Sequence, residues 1–275
     1  MADLSFWERV VRILTDSGAS ILQGCLFTLV LALIGTLAGC LIGFAVGIVQ
    51  TIPVAKTDPL PKRVIVKVVN WILTAYVEFF RGTPMIVQSM FFFYGIAMLI
   101  PSFAPTLGSL KGIWIVSILV VSINTGAYMA ETVRGGILSI DPGQSEGAKA
   151  IGMTHVQTML YIIFPQTLRN IMPQIGNNLI INIKDTSVLF VIGFTELFSR
   201  AKAIAGALYV YFETYTIIMI VYFIMTFTCS RLLRMWERRL DGPSSYDLAT
   251  KDTLAHTSGM HSYQKGNKTG KGAKR

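Results

Sequence analysis

Seven polar or charged residues stand inside otherwise apolar sequence: Glu78, Arg81, Asn124, Glu131, Asn178, Lys184 and Asp185. An ionisable side chain within a membrane span is costly, so each is a functional candidate by default. Glu78 and Arg81 lie three apart and share a helix face, so they either pair with each other or border a route for a polar solute. Asn124 falls near the middle of its apolar stretch, with Glu131 about two turns further on. Asn124 either bonds a neighbouring helix or lines the route. Lys184 and Asp185 are adjacent, so on a helix they point in different directions and need not bind each other. A zwitterionic ligand requires both signs of charge, and this stretch supplies both. The alternative is a buried ion network between subunits. Asn177, Asn178 and Asn182 make the same stretch polar enough to face protein or water rather than lipid.

These residues suit binding and passage, not covalent chemistry. No glycine-rich loop ends in Gly-Lys-Ser/Thr, so the chain supplies no ATP site of its own. No nucleophile elbow and no zinc-protease motif occurs. His155, His256 and His261 have no metal-ligand spacing, and His155 reads as a helix-capping or surface residue. No catalytic residue, metal or resident cofactor is expected. The function is binding, passage or coupling.

The elements that must position these residues are membrane helices. Of the 275 residues, 52% are hydrophobic and 14% charged, against about 25% charged in a soluble domain. Several apolar runs are long enough to cross a bilayer core, which takes about 20 helical residues. The fold class is therefore an all-α polytopic membrane protein with about five transmembrane helices and a cytoplasmic helix–glycine–helix loop. The net charge of +9 would point to nucleic acid in a soluble chain. Here many charges sit beside spans and in the tail, which fits orientation and contact with membrane lipid, and no nucleic-acid partner. Cys25, Cys40 and Cys229 lie in apolar helix sequence and imply no disulfide framework. No cleavable signal peptide is apparent.

Three regions follow. Residues 1–19 form an N-terminal interfacial segment, with Trp7, Val10, Val11 and Leu14 on one helix face. Residues 20–238 form the membrane domain. Residues 239–275 are polar and basic without apolar periodicity and read as a disordered cytoplasmic tail. The first span is about 20–49, where Gly35, Gly39, Gly43 and Gly47 recur every four residues and invite close helix packing. The stretch 64–100 is too long for one crossing, and Gly82-Thr83-Pro84 offers a break. Further spans are expected at 112–136, 173–194 and 206–232. Loop charge places residues 141–170 and the C-terminus in the cytoplasm, and five crossings then leave the N-terminus outside. Arg9, Arg12, Arg200 and Lys202 dissent from that count.

Between the third and fourth spans lies a loop with strong local signals. Asp141 can cap a helix, Pro142 suits its first turn, and Gln144 completes a capping box. Gly152 is placed to end that helix in the left-handed conformation. Thr154 and Gln157 form a second capping box and start a second short helix over 155–170. Such an elbow at a membrane face is a docking device.

Glu146, Ala148, Gly152, Ile162 and Pro165 match in register the EAA loop of bacterial binding-protein-dependent ABC importer permeases. Gly147 stands where that loop has alanine, and Phe164 where it has leucine. Glu78-Phe79-Phe80-Arg81-Gly82-Thr83-Pro84, Asn124-Thr125-Gly126-Ala127-Tyr128 and Lys184-Asp185-Thr186-Ser187 resemble the polar amino acid branch of that family, which carries histidine-, glutamine-, glutamate- or arginine-type substrates. The resemblance covers residues 20–238. It implies a bacterial plasma-membrane permease subunit working as a homo- or heterodimer. The partners it implies are two cytoplasmic ATPase subunits, which bind the ATP, and an extracytoplasmic amino-acid-binding protein. It also implies ATPase coupling through Glu146, Gly147, Ala148, Gly152 and Pro165. A secondary transporter would need inverted repeats with breaks in both halves, and only one clear break is visible. A non-transporting scaffold would explain the elbow but not the midspan charges.

Overall fold

The computed structural model describes residues 4–240, with side chains through Trp236. The disordered tail expected over 239–275 lies, from residue 241 onward, outside the described residues.

The chain opens with α1, Phe6–Gln50, started by a full capping box between Ser5 and Glu8. At 45 residues it is about 67 Å long, so the expected boundary near residue 20 is no break. Trp7, Val11 and Leu14 are exposed. Val10 turns inward with buried Ile13 against Val210 and Ile217, which splits the expected apolar face.

A linker leads to α2, Leu60–Gly82, and α3, Met85–Leu99. The two are bent by 113° at the expected Gly82-Thr83-Pro84 break. Pro84 has no N–H to continue the helix, and Thr83 before it is held extended. A short turn over Pro101–Phe103 and α4, Ala104–Leu107, lead to α5, Leu110–Leu138, capped by Ser109.

The α1–α5 seam is the principal packing of the fold. The glycine stripe makes it. A methyl on Gly47 would lie 2.8 Å from the Ala130 carbonyl oxygen, and Gly39, Gly43 and Gly35 meet Thr125, Met129 and Val121 in the same way. The regular four-residue spacing on α1 meets a four-residue row on α5, Val121, Thr125, Met129 and Val133, whose side chains lie directly against the glycine backbone.

After α5 come α6, Pro142–Ala150, and α7, His155–Thr158. A π-helical turn over Met159–Ile163 then leads directly into α8, Phe164–Asp185. The expected separation of a short helix over 155–170 from a span over 173–194 does not occur. Pro165 cannot donate to the carbonyl four residues back, and the π turn absorbs this with Phe164 N–H donating to the Met159 carbonyl. Pro173 lies within α8 without ending it. A 3-10 helix over Thr186–Ile192 closes at left-handed Gly193. Then follow α9, Leu197–Leu208, and α10, Tyr211–Leu240, joined at left-handed Tyr209. The expected fifth span over 206–232 is thus divided, with residues 206–208 belonging to α9.

By length and composition, three helices could cross a membrane: α1, α5 and the Tyr211–Trp236 part of α10. A fourth crossing is counted if the bent α2–α3 pair is one span. The expected count was five. The shortfall is α8, whose Asn177, Asn178, Asn182, Lys184 and Asp185 dilute its apolar character.

Gly43→Ala forces a methyl against Met129 Cβ and the backbone of Met129 and Ala130. It should destabilise the protein by about 1–3 kcal/mol, read as a lower apparent Tm in detergent. Gly18→Ala, with open space around it, should leave Tm unchanged or raised.

Candidate functional site

The bend between α2 and α3 opens against α5 and α8, and a cavity of about 460 Å³ lies there. Its wall carries Arg81, Thr83, Asn124, Tyr128, Asn178 and Asp185, with Asn182 and Thr125 behind. Four of the seven residues expected from sequence are therefore on one surface: Arg81, Asn124, Asn178 and Asp185. They come from three helices far apart in the chain.

Each is set by a specific neighbour. The Arg81 guanidinium pairs with the Glu131 carboxylate and sits over the Tyr128 ring, 5.5 Å from its centre. Glu131 thus reaches the site through Arg81. Glu78 is exposed and forms no ion pair among the described residues, so the expected Glu78–Arg81 pairing is replaced by one across two helices. Residues 81 and 131 meet because α2 packs against α5, which spacing along α2 cannot reveal.

Asn178 is buried, with its amide donating to the Gln174 carbonyl at 3.0 Å and lying 3.1 Å from the Met129 sulfur. Asn182, noted in sequence only for its polarity, ties three helices together. Its amide donates to the Thr36 hydroxyl at 2.7 Å and the Thr125 hydroxyl at 2.9 Å. Lys184 is exposed and lies off the cavity wall, whereas Asp185 lies on it. The two adjacent residues diverge as helix geometry requires. Sequence reasoning missed Gln88, buried one turn beyond Pro84. Its signal was an amide on an otherwise apolar helix, one turn after a break that leaves carbonyls unpaired.

The second candidate surface is the elbow. Asp141 caps α6 by accepting from Gly143 N–H at 2.7 Å. The expected first capping box is absent, because the Gln144 side chain accepts instead from Gln166 across the elbow. Gly152 has φ +81°. Its N–H donates to the Lys149 carbonyl and that of Met153 to the Ala148 carbonyl, both at 3.0 Å, the double closure of a left-handed helix stop. Thr154 and Gln157 form their capping box in full. Glu146 and Gly147 are exposed and Ala148 is buried. Pro165 lies at the start of α8. Ile151, Val156 and Tyr161 project their side chains outward, Ile151 at 80% exposure, an apolar tip for an otherwise polar turn.

An all-helical membrane protein with a broken span, a polar cavity among its helices and a helix–glycine–helix elbow has the architecture of a permease. A family model described as "Binding-protein-dependent transport system inner membrane component" matches residues 35–242, and the chain belongs to that family. Among curated relatives, the glutamine transport system permease protein GlnP of Escherichia coli (strain K12) is 31% identical over 80% of this chain and 92% of its own. The probable amino-acid permease protein YxeN of Bacillus subtilis (strain 168) is 35% identical over 65% of this chain and 77% of its own. A solved structure described as an amino acid ABC transporter with histidines superimposes with a TM-score of 0.69 at 32% identity, over 86% of this chain and 99% of that one. The protein is thus the non-catalytic permease subunit of an ABC importer, a multi-pass component of the bacterial inner membrane. That membership decides against the secondary transporter and the scaffold.

The cavity geometry separates the two neighbours on α8. Asp185→Asn should raise the KM for uptake about tenfold, as expected for a lost hydrogen bond to a charged group. Lys184→Gln should leave KM unchanged at equal abundance. Uptake titrations with both variants in the assembled transporter read the difference.

Proposed function

We propose that the protein carries polar amino acids through the cavity at the α2–α3 bend. The observation that carries this reading is the placement of Arg81 and Asp185 on one cavity wall. An amino acid brings an α-carboxylate and an α-ammonium whatever its side chain, and this wall offers one partner for each. Asn124 and Asn178 spend their amide N–H groups within the protein, and their side-chain oxygens remain as acceptors. The names of the glutamine and amino-acid permease relatives agree with that chemistry.

Five crossings fit the packing better than three or four. Near its start α8 packs Ile171 against Met129, Val133 and Ile137. Beyond its end Leu189 and Ile192 pack against Val116 and Val120. Residues 116 and 133 of α5 are about 25 Å apart along the axis. A polar helix can pass through that depth when protein covers it. The elbow and the C-terminus then lie in the cytoplasm and the N-terminus outside, with residues 20–238 as the permease domain, 1–19 as an N-terminal interfacial segment continuous with α1 and 239–275 as a cytoplasmic tail. The outer cations are held by protein groups. Arg9 pairs with Glu213 at 2.8 Å and Arg12 with Asp16 at 3.5 Å. Arg200 bonds Ser20 and faces the Phe27 ring, while Lys202 faces Phe190. Cations retained this way are weak votes on orientation.

The elbow is the EAA-type coupling loop and docks on a cytoplasmic ATPase through Glu146, Gly147 and the Ile151 tip. From His155 to Asp185 the chain is unbroken helix, about 45 Å of it. Motion of the ATPase at the elbow is thereby passed to a cavity residue on the same rod. Two ATPase subunits, a second permease subunit and an extracytoplasmic binding protein complete the importer.

Reconstituted with those partners in vesicles, the chain should give ATP-dependent uptake inhibited by polar amino acids and not by sugars. Alone it should hydrolyse no ATP. Uptake without the ATPase, or competition by sugars alone, would refute the reading. Gly152→Val places a branched side chain at a left-handed position, at a cost of about 1–2 kcal/mol, and nothing else crowds that site. It should insert normally yet lose most substrate-stimulated ATPase activity, measured in the same vesicles.

A further inference from the structure

The corner between α2 and α3 leaves backbone carbonyls without helical partners. In a membrane an unpaired carbonyl is costly, because no solvent replaces the missing donor. Side chains supply the donors here. The Thr83 hydroxyl donates to the Phe79 carbonyl at 2.9 Å. The Gln88 amide nitrogen lies 2.9 Å from the Phe80 carbonyl, the Thr83 carbonyl and the Thr83 hydroxyl. The Asn124 amide donates to the Phe80 carbonyl at 3.2 Å and to the Gln88 side-chain oxygen at 3.1 Å. Gln88 is only 4% exposed. It starts on α3, reaches back across the break to the end of α2, and is tied by Asn124 to α5. The stacked rings of Phe80 and Phe92, 6.1 Å apart, brace the same corner.

The residues so clamped, Arg81 to Met85, form one wall of the cavity. We infer that Gln88 is a positioning residue for transport: its amide fixes the α2–α3 corner and thereby sets Arg81 against the solute. This rests on the cavity reading above. The side-chain chemistry is demanding. The corner needs two N–H donors and one acceptor on a three-carbon reach, which glutamine has. Leucine offers none, glutamate lacks the donors, and asparagine is one methylene short.

Two measurements separate the clamp from the route. In the complete reconstituted importer, Gln88→Leu should raise the KM for the transported amino acid about tenfold, as for a misplaced binding group. ATP hydrolysis at saturating substrate should stay within about twofold of the parent. Gln88→Asn should fall between. A merely structural role predicts lower abundance with KM unchanged, and that result would overturn the inference. The corner itself is read by spin labels on Phe79→Cys and Val87→Cys, both well exposed, in a chain whose three native cysteines are replaced by alanine. Gln88→Leu or Gln88→Asn should broaden and shift the interspin distance, and an unchanged distance in both would overturn the clamp. Asp185→Asn serves as the control for the route. If it raises KM and the Gln88 variants do not, the positioning role alone fails. If neither changes KM while the interspin distance shifts, the clamp stands and the cavity reading falls.

Discussion

The close approach of α1 to α5 is the contact on which the rest of the molecule depends. Lipid tails are as apolar as leucine, so helices in a bilayer are not driven together by water, and intimate packing must hold them. Four glycines on one face of α1 allow that packing. The seam occupies Val121, Thr125, Met129 and Val133 on α5. Helical geometry then turns Asn124, Tyr128 and Glu131 to other faces, where Arg81 and the α2–α3 corner meet them. A thicker seam would displace the cavity wall as well as weaken the fold.

A second constraint follows from the low dielectric of the interior. Polar groups at membrane depth are tolerated when each has a partner. Asn182 bonds α1 and α5 at once, so α8 can be polar and still be held between apolar helices. Gln88 and Asn124 do the same for the broken corner. Glu196 shows the rule beyond the cavity. It is fully buried, accepts from the Phe198 and Ser199 N–H groups at the start of α9, and accepts from the Tyr222 hydroxyl at 2.9 Å. The same interactions that satisfy these groups specify which helices are neighbours.

From His155 on, one continuous helix links the elbow to the cavity. Phe164, just beyond the π turn, meets the Phe44 ring of α1 at 5.6 Å, and Gly136 of α5 lies against Ile171 and Thr167 of α8. The start of the rod is therefore held by both α1 and α5. The π turn at Met159–Ile163 is the least regular point of that rod, which marks it as the place where the elbow could change angle without breaking the helix.

Local chemistry was legible in the sequence. The glycine stripe, the break at Gly82-Pro84, the left-handed stop at Gly152 and the Thr154–Gln157 capping box each depend on a few neighbouring residues, and each stands where spacing placed it. Arg81, Asn124, Asn178 and Asp185 were legible as polar groups out of place in apolar sequence. What the sequence could not fix was partnership. Glu131 rather than Glu78 holds Arg81, Gln166 rather than the α6 backbone takes Gln144, and Asp185 rather than Lys184 faces the cavity. Span boundaries slipped for the same reason. A break was expected between residues 170 and 173, yet α8 runs through it, packed on α1 and α5, and a π turn absorbs the N–H that Pro165 lacks. Propensity and capping act over one or two turns, so one chain segment reveals them. Ion pairs and helix continuity depend on which distant helix supplies the neighbour, and only the tertiary structure decides that.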